Sequence, residues 1–278
     1  MSMKEAVAVP SQTGVRESEP AVVIDRVSHS FKNSRTGVLK PALRDVSFEI
    51  PSSRFVAVVG PSGCGKSTLL NLISGLVAPT EGEVRVNGEV VSGVRRDIGY
   101  MPSSDSLLPW RTVRNNVAFP LELAGMDKKE RLDRADELLE AVGLGTDSRD
   151  LYPHALSQGM RQRVAIARTF TAHSRIILMD EPFSALDAQT KIRVQELFLS
   201  IWDREKPTVV LITHDVSEAV ALADTVVVFT KGPGTVDRVI DVGLPRPRSV
   251  EELLFDSSEF QGHMRDIWKS LRNEEPNE

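Results

Sequence analysis

Apolar residues in this chain occur in two distinct patterns. One is a helical spacing of apolar positions, as in residues 66–76 and 127–142. The second of these segments opens with an Asp127-x-x-Glu130 capping box and is followed by Gly143, which are typical helix start and stop signals. The other pattern is a continuous apolar run, which is typical of strands buried on both faces of a parallel sheet. Four runs have this pattern: 55–59, 176–179, 209–212 and 226–229. Their alternation with the helical segments predicts an α/β fold.

Shorter β-rich runs predict an antiparallel region in addition to this core. Residues 21–24 and 46–50 are two such runs. Residues 83–86 alternate polar and apolar, and Asn87-Gly88 and a second run, 89–91, follow them. Asn-Gly suits the positive φ angles of a type I′ turn, so this last segment predicts a β-hairpin.

The remaining segments outline the domain organisation. The polar residues 1–20 predict a flexible leader, as is common at chain termini. Residues 21–245 form the predicted main domain, in which about 102–158 lack a strong strand and predict a helical subdomain. The sequence after Gly232 is rich in proline and charge, and residues 246–278 are predicted to form a C-terminal helical or polar tail.

Bulk composition excludes several function classes. The chain has 278 residues, a formal net charge of -5 and a pI near 5.7, which argue against nucleic acid as the main partner. Its single cysteine, Cys64, permits no intrachain disulfide. No apolar run approaches the roughly 18 residues of a membrane-spanning helix, and the N-terminus lacks the apolar centre of a secretory signal. We therefore expect a cytosolic chain whose membrane role, if any, comes through a partner.

A phosphate-binding loop follows the first buried run. The sequence from Gly60 to Thr68 matches G-x-x-x-x-G-K-[ST] between a predicted strand and a predicted helix, which is the context that this motif requires. Its glycines let backbone N–H groups converge on phosphates, and the helix N-terminus adds partial positive charge. Lys66 is expected to reach the β- and γ-phosphates of ATP or GTP, and the Ser67 hydroxyl to bind magnesium. The candidate nucleotide-binding residues are Gly60, Pro61, Ser62, Gly63, Cys64, Gly65, Lys66, Ser67 and Thr68.

Cys64 lies inside this loop, and two interpretations are open. It is either a small residue that fits there, or a thiol whose pKa is lowered by Lys66 and the helix N-terminus.

Two further strand ends carry candidate catalytic groups. The run 176–179 ends at Asp180-Glu181, where Asp180 suits a magnesium-binding role and Glu181 is placed to orient the attacking water. The run 209–212 leads to His214, which is either a structural or exposed histidine or a contact to the γ-phosphate and the water.

Linked motifs in the correct order give a family resemblance over about residues 22–245. The segment from Leu156 to Arg163 resembles the LSGGQ signature of ABC ATPases, and residues 184–187 resemble their D-loop, which ends at Asp187. His214 matches the switch histidine of that family, and Phe31 matches the aromatic residue that stacks on adenine. Finer features, including residues 107–113, resemble the nitrate, sulfonate and taurine importer group.

This resemblance implies a P-loop NTPase fold of the ABC-ATPase type: a mixed or parallel core sheet with an antiparallel β subdomain and a helical subdomain. It also implies an ATPase that uses ATP and Mg²⁺ as a homodimer, or as a dimer with a close paralogue. Ser157, Gln158 and Gly159 of one subunit would contact the ATP held by the other. The implied partners are integral-membrane permease subunits and, through the complex, a solute-binding protein, at the cytoplasmic face of the membrane.

The sequence departs from the family pattern at two positions. Ser103 occupies the position of the Q-loop glutamine, which normally touches magnesium and the water and senses the permease. Serine is shorter by roughly 2.5 Å, so we expect intact ATP binding with weaker or differently coupled hydrolysis. Gln158 replaces the first signature glycine, for which we expect a modest effect.

Three other functions are compatible with a phosphate-binding loop. A soluble ABC-type ATPase acting on DNA or ribosomes usually has a coiled-coil insertion or a second cassette, which this chain lacks. A small-molecule kinase leaves the signature segment unexplained. A non-catalytic subunit is motivated by Ser103 alone, since Lys66, Asp180, Glu181 and His214 are all present.

Overall fold

The computed structural model describes residues 20–272. The predicted leader, 1–20, lies outside this range apart from Pro20, where the first strand begins. The described residues form two compact units, one from residues up to 96 together with those from 206 onward, the other from residues 97–205. The elements of the first unit are β1 (Pro20–Lys32), β2 (Leu39–Pro51), β3 (Phe55–Val59), α1 (Lys66–Ile73), β4 (Glu81–Val86), β5 (Glu89–Val90), β8 (Thr208–Ile212), α6 (Val216–Leu222), β9 (Thr225–Phe229), β10 (Val236–Asp241), α7 (Val250–Asp256) and α8 (Ser258–Arg272). Those of the second unit are β6 (Ile98–Met101), α2 (Val113–Leu123), α3 (Lys128–Ala141), α4 (Gln158–Thr171), β7 (Ile176–Asp180) and α5 (Ala188–Glu205).

An antiparallel sheet in the first unit has the strand order β2-β1-β4-β5. The predicted hairpin is confirmed, because Val86 pairs with Glu89 across the turn. Asn87 and Gly88 there have φ angles of 51° and 79°, as a type I′ turn requires. Strands β1 and β2 are longer than the predicted runs, since each continues through polar positions on its exposed face.

The phosphate-binding loop of the same unit is carried by a second group of strands. Strand β3 pairs in parallel with β8 on one side and with β9 on the other. All five residues of each of these three strands are buried, which confirms the prediction from their continuous apolar runs. Strand β10 was not predicted; it pairs antiparallel with β9 at the edge, and three of its six residues are charged.

Helices dominate the second unit. Helices α2, α3 and α4 pack against one another, and Leu121, Leu139 and Val164 are among their buried residues. Asp127 is the N-cap of α3, as the predicted helix start requires, and its side chain accepts a hydrogen bond from the Lys129 amide at 2.8 Å. Strand β6 was not predicted from sequence, and it pairs in parallel with β7.

Residues 246–272 contain the helices α7 and α8 after a buried polar anchor. Asp224 accepts hydrogen bonds from the Arg246 guanidinium at 2.8 Å and from the Phe55 amide at 3.0 Å. Arg248 is buried and donates to the Ala223 carbonyl at 2.7 Å. A buried charge is tolerated when it is paired in this way, so these contacts attach the C-terminal segment to the first residue of β3.

Candidate active site

The loop after β3 owes its shape to glycines. Gly65 precedes α1 with a φ of 97°, a conformation that side-chain-bearing residues rarely adopt. A Cβ at this position would lie 2.6 Å from Leu43 Cδ2 and 2.7 Å from the Ala42 carbonyl oxygen. A Cβ on Gly60 would lie 2.9 Å from the Phe229 carbonyl oxygen. Glycine is therefore required at position 65 by both conformation and space, and at position 60 by space.

Lys66 folds back over this loop. Its Nζ atom donates hydrogen bonds to the carbonyls of Gly60 at 2.7 Å and Pro61 at 3.0 Å, and the residue is buried. Ser67 is exposed and Thr68 is buried in the first turn of α1. The first N–H groups of a helix have no partner within that helix, so this end of α1 is suited to an anion.

Cys64 is a buried thiol. Burial raises its pKa, and this effect outweighs the opposing effect of the Lys66 charge. The hypothesis of a lowered thiol pKa is therefore wrong, because desolvation disfavours the thiolate more than the nearby cation favours it.

Phe31 lies near the end of β1 with 47% of its surface exposed. Its ring contacts the buried His29 ring edge-on, with 4.6 Å between centroids and an interplanar angle of 80°. Within residues 20–272 the His29 ring nitrogens have no hydrogen-bond partner, so the imidazole acts here as a packing surface. The exposed ring of Phe31 is suited to stacking on a planar ligand.

His214 follows β8 and is exposed. Ile212 pairs with Val58 of β3, and the Thr213 amide donates to the Val58 carbonyl at 3.3 Å. The carboxyl ends of parallel strands lie at the same edge of a sheet. His214 at the end of β8 and the phosphate-binding loop at the end of β3 are therefore at the same edge.

Two carboxylates lie at the end of β7 in the second unit. Asp180 is 4% exposed, and Glu181 is half-buried. Burial, and then the negative charge of Asp180, raise the pKa of Tyr100 on the neighbouring strand to about 12. Glu181 has a φ of 50°, in the left-handed region. This conformation costs roughly 1–3 kcal/mol in a non-glycine residue and persists only where the surroundings hold it.

Ser103 lies at the same edge as these carboxylates. Met101 of β6 pairs with Met179 of β7, so Ser103 and Glu181 each come two residues after a paired position. The Ser103 side chain is exposed.

The loop that continues from Ser103 is attached to α4 by two arginines. The Asp105 carboxylate accepts a hydrogen bond from Arg161 Nε at 2.8 Å. Arg168 donates to the carbonyls of Asp105 at 3.0 Å and Ser106 at 2.9 Å.

The signature segment forms the beginning of α4. Ser157 is the N-cap, and its Oγ accepts a hydrogen bond from the Met160 amide at 3.3 Å. Gln158 is the first helical residue and is exposed. A Cβ on Gly159 would lie 3.4 Å from the Ala185 carbonyl oxygen, so the signature lies directly beside residues 184–187.

Asp187 ends that neighbouring segment. Its carboxylate accepts a hydrogen bond from the Thr190 amide at 3.1 Å, and hydrogen bonds from Thr190 lower the pKa of Asp187. Asp187 therefore stays ionised at neutral pH, at the beginning of α5.

Gln162 belongs to the segment that resembles the signature, but sequence reasoning gave it no role, although it contacts the turn that contains Glu181. Its Nε2 atom donates to the Pro182 carbonyl at 2.7 Å and to the Glu181 carbonyl at 3.4 Å. The available signal was a glutamine at a position of α4 that faces the interior, where it is 3% exposed.

The described residues contain neither a cluster of metal-ligating side chains nor a membrane-spanning helix. Within residues 20–272 there is no group of three His, Cys, Asp or Glu side chains that could hold a metal ion. Over the same residues, none of the helices combines the length and the apolar character needed to cross a membrane.

Comparison with known proteins identifies the family. The profile of the ABC transporter family matches residues 43–184. The nitrate import ATP-binding protein NrtD of Synechocystis sp. is 45% identical over 259 residues, which cover 92% of this chain and 96% of NrtD. The taurine import ATP-binding protein TauB of Shigella flexneri is 46% identical over 198 residues, 71% of this chain and 77% of TauB.

A solved structure is similar over most of its length. It is the ATP-binding cassette MJ0796, in a dimeric post-hydrolysis state bound to ADP and Pi. The TM-score is 0.73 at 33% identity, and the match covers 80% of this chain and 98% of MJ0796. The chain therefore belongs to the ABC transporter family and is an ATP-binding subunit that hydrolyses ATP.

Proposed function

We propose that this chain energises the uptake of a small anionic or organic solute, of the nitrate, sulfonate or taurine kind, through a partner permease. The observation that carries the proposal is the 45% identity with a nitrate import subunit over 92% of the chain. The similarity to a taurine import subunit supports the same class of solute.

In this proposal the loop from Gly60 to Thr68 binds the phosphates of ATP. Its support is the left-handed Gly65 at the start of α1 and the buried Lys66 cation within the loop. Lys66 contacts the β- and γ-phosphates, and the exposed ring of Phe31 stacks on adenine.

Magnesium is bound by hard oxygen donors from the Ser67 hydroxyl and the Asp180 carboxylate. These two residues fit the ion, because Mg²⁺ usually takes one or two carboxylates and fills its other positions with water and phosphate oxygens. When bound, the ion neutralises charge on the phosphates.

Hydrolysis depends on Glu181 and His214 in this proposal. The Glu181 carboxylate orients the attacking water, and the exposed His214 contacts the γ-phosphate and the water. Ser103, at the same sheet edge as Glu181, is too short to replace a glutamine directly.

A second ATP-binding subunit completes the assembly, as a homodimer or with a close paralogue. The N–H groups at the beginning of α4, next to Ser157, Gln158 and Gly159, contact the ATP held by the other subunit. Asp187 lies in the adjacent segment. The MJ0796 cassette is a dimer, which supports this arrangement. The further partners are permease subunits and, through them, a solute-binding protein, at the cytoplasmic face of the membrane; no nucleic acid is involved.

Steady-state hydrolysis by Glu181→Gln tests the catalytic assignment. Loss of a general base typically costs 10²–10⁴-fold in rate, and the variant should form an ATP-bound dimer in gel filtration with Mg·ATP. Glu259→Gln, on the exposed first turn of α8, is the matched control and should hydrolyse ATP as wild type does.

Normal turnover by Glu181→Gln would refute the assignment.

The solute class is tested separately with the complex of chain, permease and binding protein in vesicles. We expect nitrate, taurine or an alkanesulfonate to stimulate hydrolysis, and stimulation by none of the three would remove the solute proposal.

A further inference from the structure

The backbone at Glu181 is held in a conformation that its own sequence disfavours. Its φ of 50° lies in the left-handed region, and Pro182 follows it. A proline restricts the residue before it to extended conformations. The turn therefore needs support from neighbouring groups.

That support comes from hydrogen bonds that neighbouring groups donate to the carbonyls of the turn. The Glu181 carbonyl accepts hydrogen bonds from Ser184 Oγ at 3.0 Å and from the Ser184 amide at 3.3 Å. These donors are local, two residues after Pro182. Gln162 is different, because it lies on α4 and brings its amide to the turn from a separate element.

The Gln162 amide makes one strong contact and one weaker contact. Its bond to the buried Pro182 carbonyl, at 2.7 Å, has the length of a good N–H···O bond. Its contact to the Glu181 carbonyl, at 3.4 Å, is near the upper limit of distance for a hydrogen bond. With 3% of its surface exposed, Gln162 has no access to water as an alternative partner. Burying an amide without hydrogen bonds costs free energy, so a buried amide is expected to be paired. Both of these contacts of Gln162 are made to the turn that contains Glu181.

We propose that Gln162 is a positioning residue that fixes the orientation of the Glu181 carboxylate for hydrolysis. This inference rests on the proposed role of Glu181. Gln162 lies on the helix whose N-cap is Ser157 of the signature segment.

Gln162→Met tests the proposal, because methionine keeps the length of the side chain and loses its N–H donors. We expect kcat for ATP hydrolysis to fall by about tenfold to hundredfold, since small displacements of a reacting group cost this much. The KM for ATP should stay within about twofold of wild type, which separates lost positioning from lost binding.

Gln195→Met is the matched control. Gln195 is also a buried glutamine of the second unit, 3% exposed, and within residues 20–272 its Nε2 atom has no hydrogen-bond partner. This variant should keep the kcat of wild type. Gln162→Asn retains the amide but is one carbon shorter, so its kcat should lie between those of wild type and Gln162→Met.

The double variant with Glu181→Gln separates this inference from the proposed function. If Gln162 acts through Glu181, adding Gln162→Met to Glu181→Gln should cause no further loss. A further loss of the same size as in wild type, or a Gln162→Met kcat equal to that of Gln195→Met, would overturn the inference. Wild-type turnover by Glu181→Gln alone would instead refute the proposed role of Glu181. If Gln162→Met does not fold, Gln162→Asn replaces it in these tests. Its kcat should be lower than that of wild type with KM within about twofold, and a kcat equal to that of Gln195→Met would overturn the inference.

Discussion

Two turns that follow buried strands reach left-handed backbone conformations by different means. In the loop after β3, the φ angles of 76° and 97° belong to Gly63 and Gly65. In the turn after β7, the φ angle of 50° belongs to Glu181, which carries a charged side chain and precedes a proline. The first loop gains its shape from residues without a Cβ, whereas the second is held by hydrogen bonds from Gln162 and Ser184.

The difference follows from what each turn presents. The loop after β3 presents backbone N–H groups, so its residues need no side chain at the left-handed positions. The turn after β7 must present a carboxylate, and glycine cannot supply one. The strain at Glu181 is therefore retained because the residue that carries the chemistry occupies the strained position.

Glu181→Gly gives the largest expected effect and tests this difference directly. Removing the side chain relieves the left-handed strain, and after the entropy cost of glycine we expect a gain in unfolding free energy of about 1 kcal/mol. Removing the carboxylate should lower the rate of ATP hydrolysis by about 10²–10⁴-fold. Urea unfolding and steady-state hydrolysis measure the two quantities.

Glu181→Gln is the control for this experiment, because it removes the charge and keeps the Cβ. We expect the same loss of hydrolysis without the gain in stability. Equal unfolding free energies for the Gly and Gln variants would mean that the turn stores no strain.

Gly65→Ala is the converse change in the loop after β3. An alanine there would be strained by the φ of 97° and would overlap Leu43. We expect a loss of roughly 1–3 kcal/mol in unfolding free energy and a loss of about tenfold or more in ATP affinity, measured by calorimetry.

Gly88→Ala separates strain from overlap. Gly88 has a φ of 79°, but a Cβ there would meet nothing within 4 Å. Its variant should lose less stability than Gly65→Ala and bind ATP normally. A Gly65→Ala protein that binds ATP as Gly88→Ala does would show that the loop tolerates a Cβ.

The same contrast explains which features could be predicted from the sequence. The strand–loop–helix arrangement around Gly60 to Thr68 is confirmed, because glycines and a helix start specify that backbone locally. The hairpin at Asn87-Gly88 was predictable for the same reason. Three continuously apolar strands were also identified in the first unit, since burial on both faces leaves a plain signal.

The missed features depend on partners distant in sequence. The supporting contact of Gln162 reaches Pro182, 20 positions away. Strand β6 is a four-residue strand containing a glycine, and it is recognisable only by its pairing with β7. Helix α8 is an exception, because it falls in the segment predicted as a helical or polar tail, and its apolar residues Phe260, Met264, Ile267 and Leu271 recur at helical spacing.

Ser103→Gln gives a smaller expected effect and sharpens the comparison at the edge of β6. A glutamine at this position extends roughly 2.5 Å farther than serine, and Ser103, like Glu181, comes two residues after the last paired residue of its strand. We expect hydrolysis, or its stimulation by the permease, to rise by roughly two- to tenfold, with ATP affinity unchanged. Measured rates equal to wild type with and without the permease would remove this interpretation of Ser103.

The smallest expected effect is a change in the pKa of Tyr100, which depends on the negative charge at the turn after β7. Burial and the negative Asp180 both disfavour the phenolate, so the pKa of Tyr100 is raised to about 12. Asp180→Asn removes the second of these causes and leaves the first, so the pKa should fall, but not to the ordinary tyrosine value of about 10. The absorbance difference between each protein and its Tyr100→Phe counterpart, followed against pH, isolates this residue. An unchanged or higher pKa in Asp180→Asn would mean that Asp180 carries no negative charge beside β6, which would also remove the reason to expect a cation at this turn.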